Sequence, residues 1–173
     1  MRAQYRICET DEDLAQFTLF FIRNRHDFSV HFTLYDAIVH TLETIRASRI
    51  MLVLDPSGLT IGWGYYRYLD RNNEHHPQGE IAFIDSVIIS KAYRGSRVFM
   101  EGFHRLVQVM VEENTQVKVI QFCALADHPY LNKLYSKFAD HTGEREGYYG
   151  QENIYSAEIN RLKNYLNQFK SFN

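Results

Sequence analysis

"ISKAYRGSRVFMEGFHRLVQVM", residues 89–110, is the stretch on which the fold turns. It completes the run "EIAFIDSVIIS" (80–90), which is apolar enough on both faces for a strand near the middle of a sheet. A short polar turn with one glycine follows. From about Val98, the residues Val98, Phe99, Gly102, Phe103, Leu106, Val107, Met110 and Val111 then recur at helical spacing as one apolar stripe. A helix that opens at a strand's end presents free backbone N–H groups and the positive end of its dipole, an arrangement that suits a phosphate. The plainer alternative is a turn that only joins two core elements.

Upstream, "QYRICET" alternates as a strand, and "TDEDLAQFTLFFIRNR" reads as a helix with Thr10 as N-cap, acids in the first turn, and Leu14, Phe17 and Phe21 on one face. "FTLYDAIVHTLETIRAS" repeats the helical pattern, with Thr33 as cap, Asp36 three residues later, and Leu34, Ile38, Leu42 and Ile45 expected inward. "RIMLVLDPSGLTIGWGYYRYLD" changes period and predicts a β-hairpin around "DPSG". Downstream, "VKVIQFCAL" is a buried-type strand and "DHPYLNKLYSKFADH" a helix with Pro129 in its first turn. The tail predicts one or two strands around Gly150 and an amphipathic final helix over 159–172. No repeat, low-complexity segment or linker interrupts residues 1–173, so a single domain is expected.

Composition narrows the function classes. With 45% hydrophobic and 23% charged residues the chain reads as soluble and globular, and its net charge of -2 argues against bulk nucleic-acid binding. Cys8 and Cys123 lack metal-ligand spacing and read as buried thiols, and the histidines form no H-E-x-x-H pattern, so no metal site is expected. Neither a signal peptide nor a membrane-spanning apolar run is evident, which predicts no membrane partner and a cytoplasmic location.

The order β-α-α-β-β-β-α-β-α-β describes an α/β protein with a mixed sheet covered by helices. With the motifs "SVIISKAYRGSRV" and "NKLYSKF", it resembles the GNAT superfamily of acyl-CoA-dependent N-acetyltransferases over nearly the whole chain, from Tyr5 to Ile159. The resemblance implies acetyl-CoA as cosubstrate and a small-molecule or peptide amine as acceptor; a homodimer is compatible with it. Against the family's V-x-P-x-x-R-G-x-G-x-G/A pattern, Arg94 and Gly95 take the R-G positions, whereas Arg97 and Phe99 stand where later glycines are usual. By resemblance, the donor is held by the strand backbone at Val87, Ile88 and Ile89 and by the turn Arg94, Gly95, Ser96, Arg97 and Val98. Asn132, one helical turn before Tyr135, is added from helical geometry as a contact for the pantetheine arm.

Acetyl transfer needs a neutral amine, a polarised thioester carbonyl and a proton for the departing thiolate. A free primary amine has a pKa of about 10.4, so a base or a water chain is required. Asp85 stands where many family members carry an acid; the alternative is an acid at the strand's start that pairs with a neighbouring arginine or a backbone N–H. Glu80 is a reserve base only if a bulge changes the strand's register. A backbone N–H near Ile88 or Ile89 suits the carbonyl oxygen. Tyr135 occupies the position of the family's general acid; its plainer reading is a core-edge aromatic with a tied hydroxyl. Tyr65 and Tyr66, on an aromatic strand with Trp63 and Tyr68, are candidate acceptor contacts, against the simpler division of such rings between two sheet faces. The rival functional reading is a GNAT-fold binding or interaction protein without turnover, favoured by Arg97 and Phe99.

Overall fold

The computed structural model describes residues 3–28, 30–94, 97–147 and 150–168. Strands β1 (Gln4–Ile7), β2 (Arg49–Leu54), β3 (Thr60–Leu69), β4 (Ile81–Ile89), β5 (Val119–Leu125), β6 (Asp140–Gly147) and β7 (Gly150–Glu158) form one sheet in the order β1-β2-β3-β4-β5-β7-β6. Helices α1 (Asp11–Phe28) and α2 (Leu34–Ala47) precede β2, α3 (Val98–Glu113) joins β4 to β5, α4 (Pro129–Tyr135) follows β5, and α5 (Ile159–Asn167) follows β7. The sheet is mixed: β1, β2 and β3 pair antiparallel, β4 and β5 pair parallel, and β5, β7 and β6 pair antiparallel. The apolar run in β4 lies at the sheet's centre, as its two apolar faces require.

The backbone packs as two units, Met1–Tyr66 with Val87–Arg105, and Arg67–Ser86 with Leu106–Asn173. In the first unit, Thr10 and Thr33 cap α1 and α2. The Thr10 hydroxyl accepts from the Asp13 N–H at 3.2 Å, and Thr33 and Asp36 form a reciprocal capping box. Phe17 and Phe21 of α1 meet Trp63 of β3 edge to face at 5.3 and 5.4 Å. A register shift between Val53 and Leu54 bulges the β2–β3 ladder. Beyond it Ile61 joins Ala3, Val53, Ile89 and Val98 in a second cluster, against which Tyr5, Tyr93 and Phe99 pack.

The face that α2 buries differs from the expected one. Ala37, Thr41 and Thr44 are 0, 2 and 4% exposed, whereas Leu34, Ile38 and Leu42 are 51, 43 and 58% exposed. The closely packed side of α2 therefore carries its small residues, and Thr41 is tolerated there because its hydroxyl donates to the Ala37 carbonyl at 2.7 Å.

In the second unit, Phe122 of β5 packs against Tyr135, Phe138 and Tyr155. α4 ends at Tyr135, earlier than its pattern suggests. Phe138 is buried against Phe122 and Tyr165, and from Asp140 the chain pairs with β7 instead of continuing as helix. The tail makes two strands and α5; from residue 169 onward, the expected 159–172 helix lies outside the described residues.

Gly62 sets how closely β3 approaches the end of β4. A Cβ there would lie 2.5 Å from the Ile88 carbonyl oxygen and 2.7 Å from Ile89 Cδ1. Gly62→Ala is expected to cost about 1–3 kcal/mol through overpacking, lowering the melting temperature by roughly 3–10 °C in differential scanning calorimetry. An unchanged melting temperature would mean the two strands separate freely at this point.

Candidate functional site

In the first unit the candidate donor residues gather where β4 ends and α3 begins. The chain leaves Ile89 through a single 3-10 turn at Lys91–Tyr93, and the Ser90 N–H donates to the Ile61 carbonyl at 2.8 Å. At the start of α3 the Glu101 N–H donates to the Arg97 carbonyl at 2.9 Å, and Val98, Phe99 and Met100 form the helix's first turn. Gly95 and Ser96, expected in the same turn, lie outside the described residues.

The two arginines of the turn behave differently. Arg94 folds back: its Nε donates to the Ile89 carbonyl at 2.9 Å, and its guanidinium stands 3.5 Å from Asp27 of α1, which also pairs with Lys91 at 2.7 Å. Arg97 is exposed at the start of α3. Phe99 stacks on Phe103 at 6.2 Å and packs against the Val98 cluster, so the bulky residue at a usual glycine position serves the apolar core. Ile88 and Ile89 are buried and Val87 half-buried.

Neither tyrosine proposed as an acceptor contact is placed for that role. Tyr66 is 0% exposed, and Tyr65 is 6% exposed, with its hydroxyl 3.0 Å from His40 Nε2 and its ring beside Trp63. Both serve the core, because a β3 sandwiched on two sides buries residues of either parity.

The second unit holds the proton-transfer candidates. Asp85 pairs with Arg67 of β3 at 2.8 Å, the arginine partner that its plainer reading required. The pair is joined end-on, and Asp85 Oδ2 and Arg67 Nε are both buried without a hydrogen-bond partner. Arg145 of β6 and Glu152 of β7 form a neighbouring pair at 2.7 Å, and the Arg67 and Arg145 guanidiniums stand 5.7 and 5.1 Å from the Phe83 ring. Burial pushes the Asp85 carboxyl up to about 6, against the opposing pull of Arg67 and Arg145. Glu80 is no reserve base. Arg71 and Lys118 hydrogen-bond it at 2.7 and 2.5 Å and hold its carboxyl down at about 2.

Tyr135 is held by rings, packing edge-on against Phe122 at 4.6 Å and Tyr155 at 5.6 Å. Burial pushes its phenol up to about 12, and Cys123 adds to the effect. The Cys123 thiol is itself pushed up to about 11 by burial and lies within electrostatic reach of Asp85, so Cys123 links the surroundings of the acid and the base candidate. Asn132 corrects an expectation. Its Nδ2 donates to the Leu125 and His128 carbonyls, both at 2.9 Å, and its Oδ1 accepts from Asn153 at 2.9 Å and the Tyr155 hydroxyl at 2.8 Å. With its amide so engaged, Asn132 anchors α4 to β5 and β7 and has no group left for a pantetheine arm.

Arg67, Arg145 and Glu152 escaped the sequence reading. Arg67 carried a signal, as a lone cation in "YYRYL"; Arg145 and Glu152 face each other only once the hairpin register through Gly147 and Gly150 is known. Among the described residues, no group of three His, Cys, Asp or Glu could hold a metal ion, and no helix is long and apolar enough to cross a membrane.

The overall fold recurs in solved structures. A protein from Desulfovibrio desulfuricans assigned to the GNAT acetyltransferases superposes with a TM-score of 0.66 at 10% identity, covering 91% of this chain and 99% of that one. The chain has the GNAT fold. A spermidine N-acetyltransferase chimera of Vibrio cholerae SpeG and hSSAT shares this GNAT fold with a TM-score of 0.66 at 14% identity, over 94% of this chain and 99% of that one. The NatC complex bound to Gag peptide and CoA shares it at 0.64 and 14% identity, over 91% and 99%. No protein-family model and no curated protein matches the sequence.

The raised Asp85 carboxyl has a thermodynamic signature. Its folded value of about 6 exceeds the unfolded value of about 3.9, so the folded state binds more protons between these values and this group's contribution to stability falls as pH rises from 4 to 6. The stability of the wild type relative to Asp85→Asn should fall over that interval by on the order of 2–3 kcal/mol in urea denaturation. A flat difference would place the Asp85 carboxyl in its ordinary range.

Proposed function

We propose that this protein is an N-acetyltransferase that moves an acetyl group from acetyl-CoA to a primary amine, with Tyr135 as general acid and Asp85 as general base. The observation that carries the reading is the state of Tyr135: its ring is fixed by Phe122 and Tyr155, and among the described residues its hydroxyl has no hydrogen-bond partner. A tied phenol would favour a purely structural residue, whereas an untied one keeps its proton for a leaving group.

Proton matching supports the same reading. A thiolate expelled in water leaves with a pKa of about 8.5, well below a phenol near 10. Burial raises the Tyr135 phenol to about 12 and the Cys123 thiol to about 11, so excluding water from a leaving thiolate in the same surroundings would raise its proton affinity in the same direction. Asp85 at about 6 is largely ionised at neutral pH, and its Oδ2, buried without a hydrogen-bond partner, is the atom proposed to take the acceptor's ammonium proton through a water. Nucleophilic attack by the neutral amine on the thioester carbon then forms the C–N bond, and collapse of the tetrahedral intermediate breaks the C–S bond; the departing thiolate takes the Tyr135 proton, and the second nitrogen proton, lost as the amide forms, returns the Tyr135 phenolate to a phenol.

For the donor, the N–H groups from Val98 and the Arg97 guanidinium are the proposed pyrophosphate contacts, with the backbone near Ile88 and Ile89 directed to the thioester carbonyl. Gly95 and Ser96 belong to the same proposal by resemblance. Arg94, bonded to Ile89 and close to Asp27, is assigned to shaping the turn. The second reading, a binding protein without turnover, is favoured by Phe99, whose packing fills a position that the family usually leaves to glycine.

Titration calorimetry with acetyl-CoA, followed by thiol release over an amine panel, tests both. Tyr135→Phe should lower turnover by at least ~10-fold while leaving the acetyl-CoA dissociation constant unchanged. Equal turnover in the two proteins would remove Tyr135 from the chemistry. Arg97→Ala should weaken acetyl-CoA binding by about 5–10-fold at low salt, with a smaller effect at high salt. Binding without thiol release from any amine would favour the second reading, and silence to acetyl-CoA and free coenzyme A would defeat both.

A further inference from the structure

Arg145 leaves the outer end of its guanidinium open. Its Nε donates to Glu152 at 2.7 Å, and among the described residues neither terminal amino group of Arg145 has a hydrogen-bond partner. The strand register brings this cation to the face of the sheet that carries the base candidate. Arg145 pairs with Glu152 across β6 and β7, Glu152 with Leu125 of β5, and Gln121 of β5 with Phe83 of β4. Paired residues and residues two apart share a face, so Phe83, Asp85, Glu152 and Arg145 stand on one side. Arg67 reaches the same place from β3, and the Arg67 and Arg145 guanidiniums lie 5.7 and 5.1 Å from the centre of the Phe83 ring.

We infer that the acceptor is a small amino acid, with its carboxylate on the terminal amino groups of Arg145 and its amine turned toward Asp85. The inference deepens the acetyltransferase reading and rests on it. Two parallel N–H groups at the end of a guanidinium match the two oxygens of a carboxylate. Charge balance selects the same class. The Arg67–Asp85 and Arg145–Glu152 pairs sum to zero, so a simple amine, entering as an ammonium, adds an unbalanced charge beside two arginines, and a polyamine adds more. A zwitterion adds none. It also bonds the open end of Arg145 as water leaves, where an amine without a carboxylate would strand those donors. The Arg145 side chain is 39% exposed and that of Asp85 15%, which puts the carboxylate at the outer end and the reacting amine at the enclosed one. Transfer forms the N–C bond and breaks the C–S bond as above, giving the N-acetyl amino acid and free coenzyme A, with the ammonium proton passing through water to Asp85.

Matched acceptors test this: the common amino acids, their carboxamides and their decarboxylated amines, read by thiol release from acetyl-CoA. For the best side chain the acid should exceed its carboxamide in kcat/KM by at least ~10-fold. The carboxamide carries the less basic amine, so such a preference cannot come from the fraction of neutral amine. Arg145→Ala should bring the acid-to-carboxamide ratio to about twofold or less. Arg145→Lys, which keeps the charge beside Glu152 and loses the fork, guards against misfolding and should lower the ratio at least ~3-fold. A merely structural Arg145 would lower kcat/KM for acid and carboxamide alike and keep their ratio. A preference for the carboxamide or the plain amine, or a ratio that survives both variants, overturns the inference and leaves the acetyltransferase standing. Should no acceptor release thiol, the acetyltransferase reading falls, and calorimetric titration of the amino acids in the presence of free coenzyme A decides the carboxylate site. Arg145-dependent binding of acids over carboxamides upholds that site, and equal binding or none overturns it.

Discussion

Parallel strands cannot be joined by a tight turn, and the pairing of β4 with β5 commits the chain to a long excursion between Ile89 and Val119. α3 is that excursion, and it begins nine residues after the end of a central strand, at Val98, which packs with Ile89 in one apolar cluster. The ladder itself runs from Ile81↔Val119 to Ile84↔Phe122, while β4 continues to Ile89 and β5 to Leu125. Asp85 is the first residue of β4 past the paired stretch. The apolar character of β4 thus serves the sheet up to Ile84, and beyond it the strand carries the residues proposed for the chemistry.

The surroundings of Asp85 show how a charge is kept in a nearly dry place. Two arginines and two carboxylates balance one another around the Phe83 ring, so the group carries no net charge. Balance alone would leave a carboxylate strongly acidic, as at Glu80, where two exposed cations dominate. Around Asp85 desolvation outweighs its partners, because the end-on pairing with Arg67 uses one carboxylate oxygen and leaves the other without a donor. The difference between these two acids, five residues apart, is one of burial and bonding geometry.

The fold was largely legible in the sequence because its decisive signals are local. The caps at Thr10 and Thr33, the "DPSG" turn, the α3 stripe and the largely apolar β4 each name an element from adjacent residues. Misreadings arose where tertiary packing chose between alternatives that local pattern cannot rank. In α2, apolar spacing pointed Leu34, Ile38 and Leu42 inward, but the space against α1 and β3 admits Ala37, Thr41 and Thr44. At the candidate site, Asp85 and Tyr135 were singled out from motif and element order, whereas the charged neighbours of Asp85 come from β3, β6 and β7 and depend on register. Asn132 was read as a pantetheine contact and instead bonds to the Leu125 and His128 carbonyls, because helical geometry places a side chain without saying which carbonyls it will find.

That amide has a further consequence. α4 has only seven residues, too few to sustain a helix alone, and it is fastened by a side chain that gives protons to carbonyls on one end and takes them from Asn153 and Tyr155 on the other. Polarity, more than size, is what this position must conserve. An aspartate would fit the same volume while setting an anion against the Leu125 and His128 carbonyls, so hydrolysis of a single amide, with no change of shape, would release the helix that carries Tyr135.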